Sequence, residues 1–183
     1  VPSLCIACGH CVLACPQGAK VVRDDRPEVR RAIAEGRKVI ASVAPSAPAY
    51  FGFQLFSQIE QALLGLGFTG AGETAYGAEM VGKAHKELVD QQRELWPIIT
   101  SSCPVVVNLI EKYYPDLLPH LAPIVSPMIA HGRALRADYG DDAFLVFIGP
   151  CIAKKEEIQD QAVEGVFDAV LSFGELRDWL QNQ

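Results

Sequence analysis

The residues of this 183-residue sequence best suited to chemistry are its cysteines. Cys5, Cys8, Cys11 and Cys15 fall within the eleven residues from 5 to 15, in the pattern C-x2-C-x2-C-x3-C, and Pro16 follows directly. Three thiolates two residues apart can wrap one 4Fe-4S cube, with Ala7 and Gly9 small enough for backbone amides to approach the sulfides. In two-cluster runs of this spacing the fourth cysteine ligates the other cluster, so Cys15 predicts a second 4Fe-4S cluster. Cys103 and Cys151 lie far off in different contexts, and the chain does not begin with Met. The expectation is a first cysteine run ahead of Val1, the sequence being a piece of something longer. Two other readings weigh less. Zinc prefers paired C-x2-C units separated by a longer loop. A disulfide framework belongs to small secreted scaffolds, which a chain of this size is not.

Half of the residues are hydrophobic, enough for one compact domain with a small appendage. We divide the chain into a cluster-binding module and linker over 1–37 and a larger domain over 38–183. A net charge of -6 argues against nucleic acid as a partner, because phosphate binding relies on basic patches. No run of eighteen apolar residues occurs, and cysteines stand where a signal peptide would carry its charged and apolar regions. These features predict a soluble protein without a membrane partner, in a reducing and anaerobic cytoplasm.

The elements that must position the cysteines follow from periodicity and punctuation. Residues 21–37 predict a short strand, a charged turn and a helix stopped at Gly36. "KVIASVAPS" reads as a buried strand feeding a loop at Pro45, followed by a helix from about Phe51 to Leu66. "FTGAGE" gives a strand end and a glycine turn before a helix from about Thr74 to Gln92. "WPIITSSCP" reads as a strand running into a loop, with helices at Val105 to Tyr114 and Ser126 to Ala137 behind it. The strand "AFLVFIGPC", a short helix at Lys154 to Gln159, the strand "FDAVLSF" and a helix opening near Gly174 complete the chain. Alternating strands and helices predict an α/β fold with a mostly parallel sheet flanked by helices. On this pattern Cys103 and Cys151 each follow a strand and precede a helix, positions that meet at the carboxyl edge of a parallel sheet where ligands bind. They could share one metal site or be two buried apolar thiols.

The residues around them favour the shared metal site. "TSSCP", "NLIEKYYPDLLPHL", "VSPM" and "PCIAKKEE" resemble the catalytic domain of the FeFe hydrogenases, whose first two signatures read TSCCP and PCxxKxxE. The resemblance runs from about Lys38 to the end of the sequence, behind a module that resembles bacterial ferredoxins. It implies that Cys103 and Cys151 ligate the 4Fe-4S part of an H-cluster. It places Lys154 at the lysine that hydrogen-bonds a diiron cyanide, Glu157 at the glutamate of that motif, and Ala44, Pro45, Ser46, Ser126 and Pro127 in the loops over the diiron unit. Without it, Lys154 would read as part of a solvated helix face and the serines as turn chemistry. His10, His85, His120 and His131 correspond to no ligand position and are expected to be surface or satisfied histidines.

Three departures shape the functional expectation. The third signature, which closes the cubane, has no counterpart through Gln183, so an H-cluster belongs only to a longer, maturated protein. Ser102 stands where the family has a proton-exchanging cysteine, and a hydroxyl is a far poorer acid than a thiol with a pKa near 8.5. Glu79, His85 and Glu87 supply no convincing acidic relay, and Gly149 replaces a methionine common before PC. The resemblance therefore implies a redox- or dihydrogen-sensing branch, with electron transfer through 4Fe-4S clusters and a ferredoxin or a downstream signalling domain as partner. A catalytically active hydrogenase and an iron-sulfur scaffold without a diiron site are the alternatives.

Overall fold

The computed structural model describes residues 4–92 and 96–182. The first residues of the cysteine module, 1–3, and Gln183 lie outside that range. Four strands, β1 (Val39–Val43), β2 (Gly70–Glu73), β3 (Phe144–Gly149) and β4 (Ala169–Ser172), form one wholly parallel sheet in the order β2-β1-β3-β4. The inner pair is in register from Val39 opposite Phe144 to Val43 opposite Ile148. Every residue of β1 and β3 is buried, as expected where helices cover both faces of a parallel sheet and the strands read as continuous apolar runs.

Nine helices and one 3-10 segment complete the described chain: α1 (His10–Leu13), α2 (Arg26–Ala34), α3 (Ala47–Phe51), α4 (Phe56–Gly65), α5 (Ala75–Gln91), α6 (Pro104–Tyr113), α7 (Pro127–Tyr139), α8 (Lys154–Glu157) and α9 (Phe173–Gln181), with the 3-10 turn at Pro115–His120. α7 crosses β1 and β3, and α5 packs along α7; α2 packs against β1 and β4, and α9 against β3 and β4. The α5–α7 approach needs Gly77, where a Cβ would run into the Pro127 carbonyl and the His131 backbone. α7 opens with Ser126 as N-cap, its Oγ accepting from Ile129 N–H at 3.4 Å, and with Pro127 in the first turn, where a missing N–H costs nothing.

Three expectations need revision. The predicted helix from Phe51 to Leu66 is two, because Gly52 takes a left-handed φ of 76° and ends α3 before α4 begins. The predicted strand in "WPIITSSCP" contributes only an isolated bridge, Ile99 to Leu121, so Cys103 does not follow a sheet strand. No strand forms at Val21 and Val22. Lys154 and Lys155 of "KKEE" are both buried, so the alternative of a solvated helix face does not hold.

Lys155 closes the β4 edge of the sheet. Its Nζ donates to the Val170 carbonyl at 2.6 Å, while the Val170 N–H donates to Asp25 Oδ2 at 3.1 Å. A lysine and an aspartate thus take the place of a fifth strand, satisfying backbone groups that an edge would leave unpaired. Lys155 is also paired with Glu175 at 3.0 Å and Asp25 at 3.5 Å, and Arg23 joins Asp25 at 2.7 Å. Glu175 in turn completes a capping box with Ser172 at the start of α9. The buried charges are therefore matched and hydrogen-bonded, the condition under which burial is tolerated.

A second buried polar chain runs from the N-cap of α5 through β1 to α7. Ser42 Oγ lies 2.8 Å from both Thr74 Oγ1 and His131 Nδ1, and all three residues are buried. Burial holds the His131 imidazole below the ordinary histidine value, with Asp138 acting weakly in the opposite sense.

Two outcomes follow from this packing. Lys155→Ala strands Asp25 and Glu175 in a dry edge and is expected to lower the unfolding free energy by about 3–5 kcal/mol, read from urea denaturation. Because His131 binds its proton less readily in the folded than in the unfolded chain, stability falls as pH drops from about 6.5 through the lower folded value. Unfolding midpoints measured between about pH 7.5 and 5.5 should show this slope, and His131→Asn should flatten it.

Candidate metal centre

Two loops leave the carboxyl ends of the central strands side by side. β1 runs into Ala44, Pro45 and Ser46, and β3 into Pro150 and Cys151. Ala44 N–H donates to the Ile148 carbonyl at 2.8 Å, extending the ladder past the end of β1. A Cβ on Gly149 would stand 3.3 Å from Ala44 Cβ and 2.6 Å from the Phe147 ring, so glycine is what lets the loops approach. A methionine here would force one of them aside. Ala44 is buried; Pro45 and Ser46 are exposed, with Ser46 at the N-cap of α3.

The residues singled out from the sequence meet at α8. Lys154 Nζ donates to Glu157 Oε2 at 2.5 Å and to the main-chain carbonyl of Ser102 at 3.2 Å. The lysine and glutamate side chains are only 11% and 14% exposed, so this is an interior ion pair rather than surface decoration. The contact with position 102 uses its backbone, so it does not depend on which side chain stands there. Ser126 and Glu157 also line a cleft of about 460 Å³, together with Ser101, Asn108 and Glu111. Ser101 Oγ donates to the Ile124 carbonyl and ties the 101–103 loop to the strand of chain that leads to Ser126.

Cys103 is the exposed N-cap of α6, its carbonyl accepting from Val106 and Val107 N–H at 3.0 and 3.1 Å. Cys151 is half-buried, and its carbonyl accepts from Lys154 N–H at 3.3 Å. The N-terminal cysteine run lies against both loops' supports. Gly9, in a left-handed conformation between Cys8 and Cys11, is so close to Ile152 that a Cβ would collide with its side chain. Lys112 Nζ donates to the Cys5 carbonyl at 2.5 Å and Tyr113 Oη to the Leu4 carbonyl at 2.7 Å, both from the last turn of α6. These docking contacts had no signal in the sequence, because Ile152, Lys112 and Tyr113 are ordinary residues until the fold places them.

The cysteine run suits an iron-sulfur cluster. Ala7 N–H donates to Cys5 Sγ at 3.4 Å, and the loop takes positive φ at Ala7 and Gly9 (60° and 77°). The backbone N–H groups of Ala19 and Gln17, with smaller help from Lys20 and Gly18, hold the Cys15 thiol below its ordinary value, which favours the thiolate a metal requires. Among the described residues no three His, Cys, Asp or Glu side chains close on a single ion. A cubane spreads its thiolates around a body larger than one ion, so the donor chemistry is the relevant test, and it fits.

The remaining candidates lie elsewhere. Glu79 and Glu87 are exposed on α5, Glu79 paired with Lys83 at 2.7 Å. His85 bonds the Val81 carbonyl through Nδ1 at 2.9 Å, and its buried Nε2 has no partner. His10 is exposed. No described helix is long and apolar enough to cross a membrane.

Comparison with known proteins agrees with the geometry. Residues 37–183 match the model of the iron-only hydrogenase large subunit, C-terminal domain, and residues 1–21 that of a 4Fe-4S binding domain. The NADP-reducing hydrogenase subunit HndD of Solidesulfovibrio fructosivorans is 31% identical over 85% of this chain and 31% of its own length. The cytosolic Fe-S cluster assembly factor NAR1 of Sclerotinia sclerotiorum is 35% identical over 38% of this chain and 14% of its own. A solved FeFe-hydrogenase structure, from work on oxygen damage to the 2Fe subcluster of the H cluster, superposes with a TM-score of 0.67 at 25% identity, over 84% of this chain and 47% of that one. The chain thus spans about a third of the length of the hydrogenase relative. Carrying that family's domain over most of its length, behind an iron-sulfur binding module, this chain belongs to the iron-only hydrogenase family.

Proposed function

We propose that this protein is an iron-sulfur, hydrogenase-like regulator that responds to dihydrogen or to redox state, acting in a reducing cytoplasm. One observation carries the reading: Lys154 is locked between Glu157 and the Ser102 carbonyl, beside the loops that present Cys103 and Cys151. That is an interior cation held ready at the edge of a thiolate site, with Ser102 where a fast enzyme would want an acidic thiol. In the longer, maturated protein Cys103 and Cys151 supply two cubane ligands, and a first cluster sits in the Cys5, Cys8 and Cys11 loop, with Cys15 reaching a second. Such a centre supplies reversible one-electron storage and a site for dihydrogen.

This chain's own residues then have distinct tasks. Lys154 has one ammonium N–H left to offer an anionic ligand, while Glu157 and the Ser102 carbonyl hold the group in place. Ala44, Pro45 and Ser126 wall the site, and Gly149 lets its loop pack closely against Ala44. The Ser102 hydroxyl is a poor proton exchanger, which slows turnover while leaving ligand binding intact. The packing of the Gly9 turn on Ile152 joins the cysteine run to the Cys151 loop, so a cluster held by that run would take electrons from a ferredoxin-like redox partner, and the response would pass to a downstream output domain. The likeness to a hydrogenase subunit favours a second reading, an active hydrogenase that tolerates Ser102. The likeness to an assembly factor favours a scaffold that holds cubanes alone.

Infrared spectroscopy of the full-length protein, made anaerobically with maturation factors, separates these readings. Bands from metal-bound carbon monoxide and cyanide are expected; their absence from protein with intact cubanes would leave the scaffold. Ser102→Cys keeps the backbone bond to Lys154 and should raise hydrogen turnover by about 10-fold or more, within the range a positioned acid-base group contributes. No gain would remove proton supply as the limit. Cys103→Ala should lower iron per chain, and unchanged iron would make Cys103 an ordinary thiol.

A further inference from the structure

We infer that Lys112 raises the reduction potential of the cluster held by the Cys5, Cys8 and Cys11 loop, by fixing an ammonium charge on the main-chain carbonyl of Cys5. The inference rests on the reading that this loop holds a 4Fe-4S cluster. Its starting point is the charge content of the loop. Between Leu4 and Ala19 there is no Asp, Glu, Arg or Lys; the nearest cation in sequence is Lys20, and His10 is the one other ionisable side chain besides the cysteines. The loop therefore brings almost no fixed charge of its own to its cluster.

Lys112 supplies one from outside. Its Nζ donates to the Cys5 carbonyl at 2.5 Å, and the neighbouring Tyr113 hydroxyl donates to the Leu4 carbonyl at 2.7 Å. The two bonds differ in kind, because tyrosine tethers the loop without charge whereas lysine tethers it and adds a full positive charge beside a ligand residue. When the cluster accepts one electron, no bond forms or breaks and no proton moves, but the cluster becomes one charge more negative. A fixed cation close by stabilises that reduced form, so net charge near the cluster is one of the levers on its potential. Lys112 is exposed, so its influence is partly screened by water and falls further with added salt.

The placement has a second consequence. Lys112 and Tyr113 end the helix that Cys103 begins, so the group that tunes the N-terminal cluster is built on the same rigid segment as a ligand of the neighbouring centre. Lys112 acts through the Cys5 carbonyl and is a positioning residue, not a catalytic one.

The test is a reductive titration with dithionite on the full-length, anaerobically produced protein, following the electron paramagnetic resonance signal that Cys8→Ser abolishes. Lys112→Gln should move the midpoint of that signal to a more negative potential, by a shift that shrinks as salt is raised. Lys112→Arg should restore the wild-type midpoint, and Tyr113→Phe should leave it in place. A wild-type midpoint in Lys112→Gln would overturn the inference, as would an equal shift in Tyr113→Phe, which would mark a tether without electrostatic effect. A wild-type protein with no signal sensitive to Cys8→Ser, and no matching iron, would overturn both the cluster reading and this one. A signal with an unmoved midpoint would remove only the role of Lys112.

Discussion

Much of this architecture hangs on one buried ammonium group. Lys155 is joined to the β4 edge, to Asp25 in the linker and to Glu175 at the head of α9, so three separate parts of the chain are fixed to a single atom. The desolvation of a lysine is steep, and only the convergence of two carboxylates and a carbonyl makes it tolerable. That convergence sets the position of α8 against the sheet. Because α8 is a single turn, fixing Lys155 also fixes Lys154. The geometry of the candidate site is in this sense inherited from an edge-closing interaction that has no chemistry of its own.

The parallel sheet does the rest of the positioning. β1 and β3 end side by side, so their loops begin within contact distance, and Gly149 permits that contact. Cys103 is delivered differently, from the start of α6 rather than from a strand. The other end of that helix holds the cysteine run, while Ile152, one residue past Cys151, holds its middle. The two groups of cysteines are thus connected through one short helix and one side-chain contact, both of which resist compression. Membership of the iron-only hydrogenase family explains why cysteines should be so arranged, and the packing explains how this chain achieves it.

What could be read from the sequence divides along a physical line. β1, β3 and β4 were legible as apolar runs because strands covered on both faces have no polar alternation to disguise them. The helix ends at Gly36 and Ser126 were legible because capping chemistry is local. The Ile98–Ile99 segment was misread as a strand because two adjacent isoleucines and a threonine have the right propensity, whereas strand formation needs a partner, and among the described residues Ile99 bridges only to Leu121. The break after Phe51 was missed because Gly52 sits in a pattern that otherwise continues. At the site, motif spacing found Cys103, Cys151, Lys154 and Glu157, and the structure joins the last two. It could not reveal that Lys155 is buried, since its partners Asp25 and Glu175 lie on either side of it in distant parts of the sequence. The Ser42 to His131 bond, spanning 89 residues, is invisible for the same reason.

Adjacent residues on a helix point about 100° apart, and here that angle separates two environments. Lys154 turns to the loop of Ser102 and Glu157, and Lys155 to Val170 and Asp25. The interval from Cys151 to Lys154 is therefore under constraint from both sides. Deleting one residue from it would turn Lys155 into the place of Lys154 and Glu156 into the place of Lys155, leaving the Cys151 loop facing an ammonium that the sheet edge requires. Ile152 and Ala153 can be exchanged for other residues that pack there, but their number cannot change without displacing both lysines. Length, more than identity, is what this short segment has to keep.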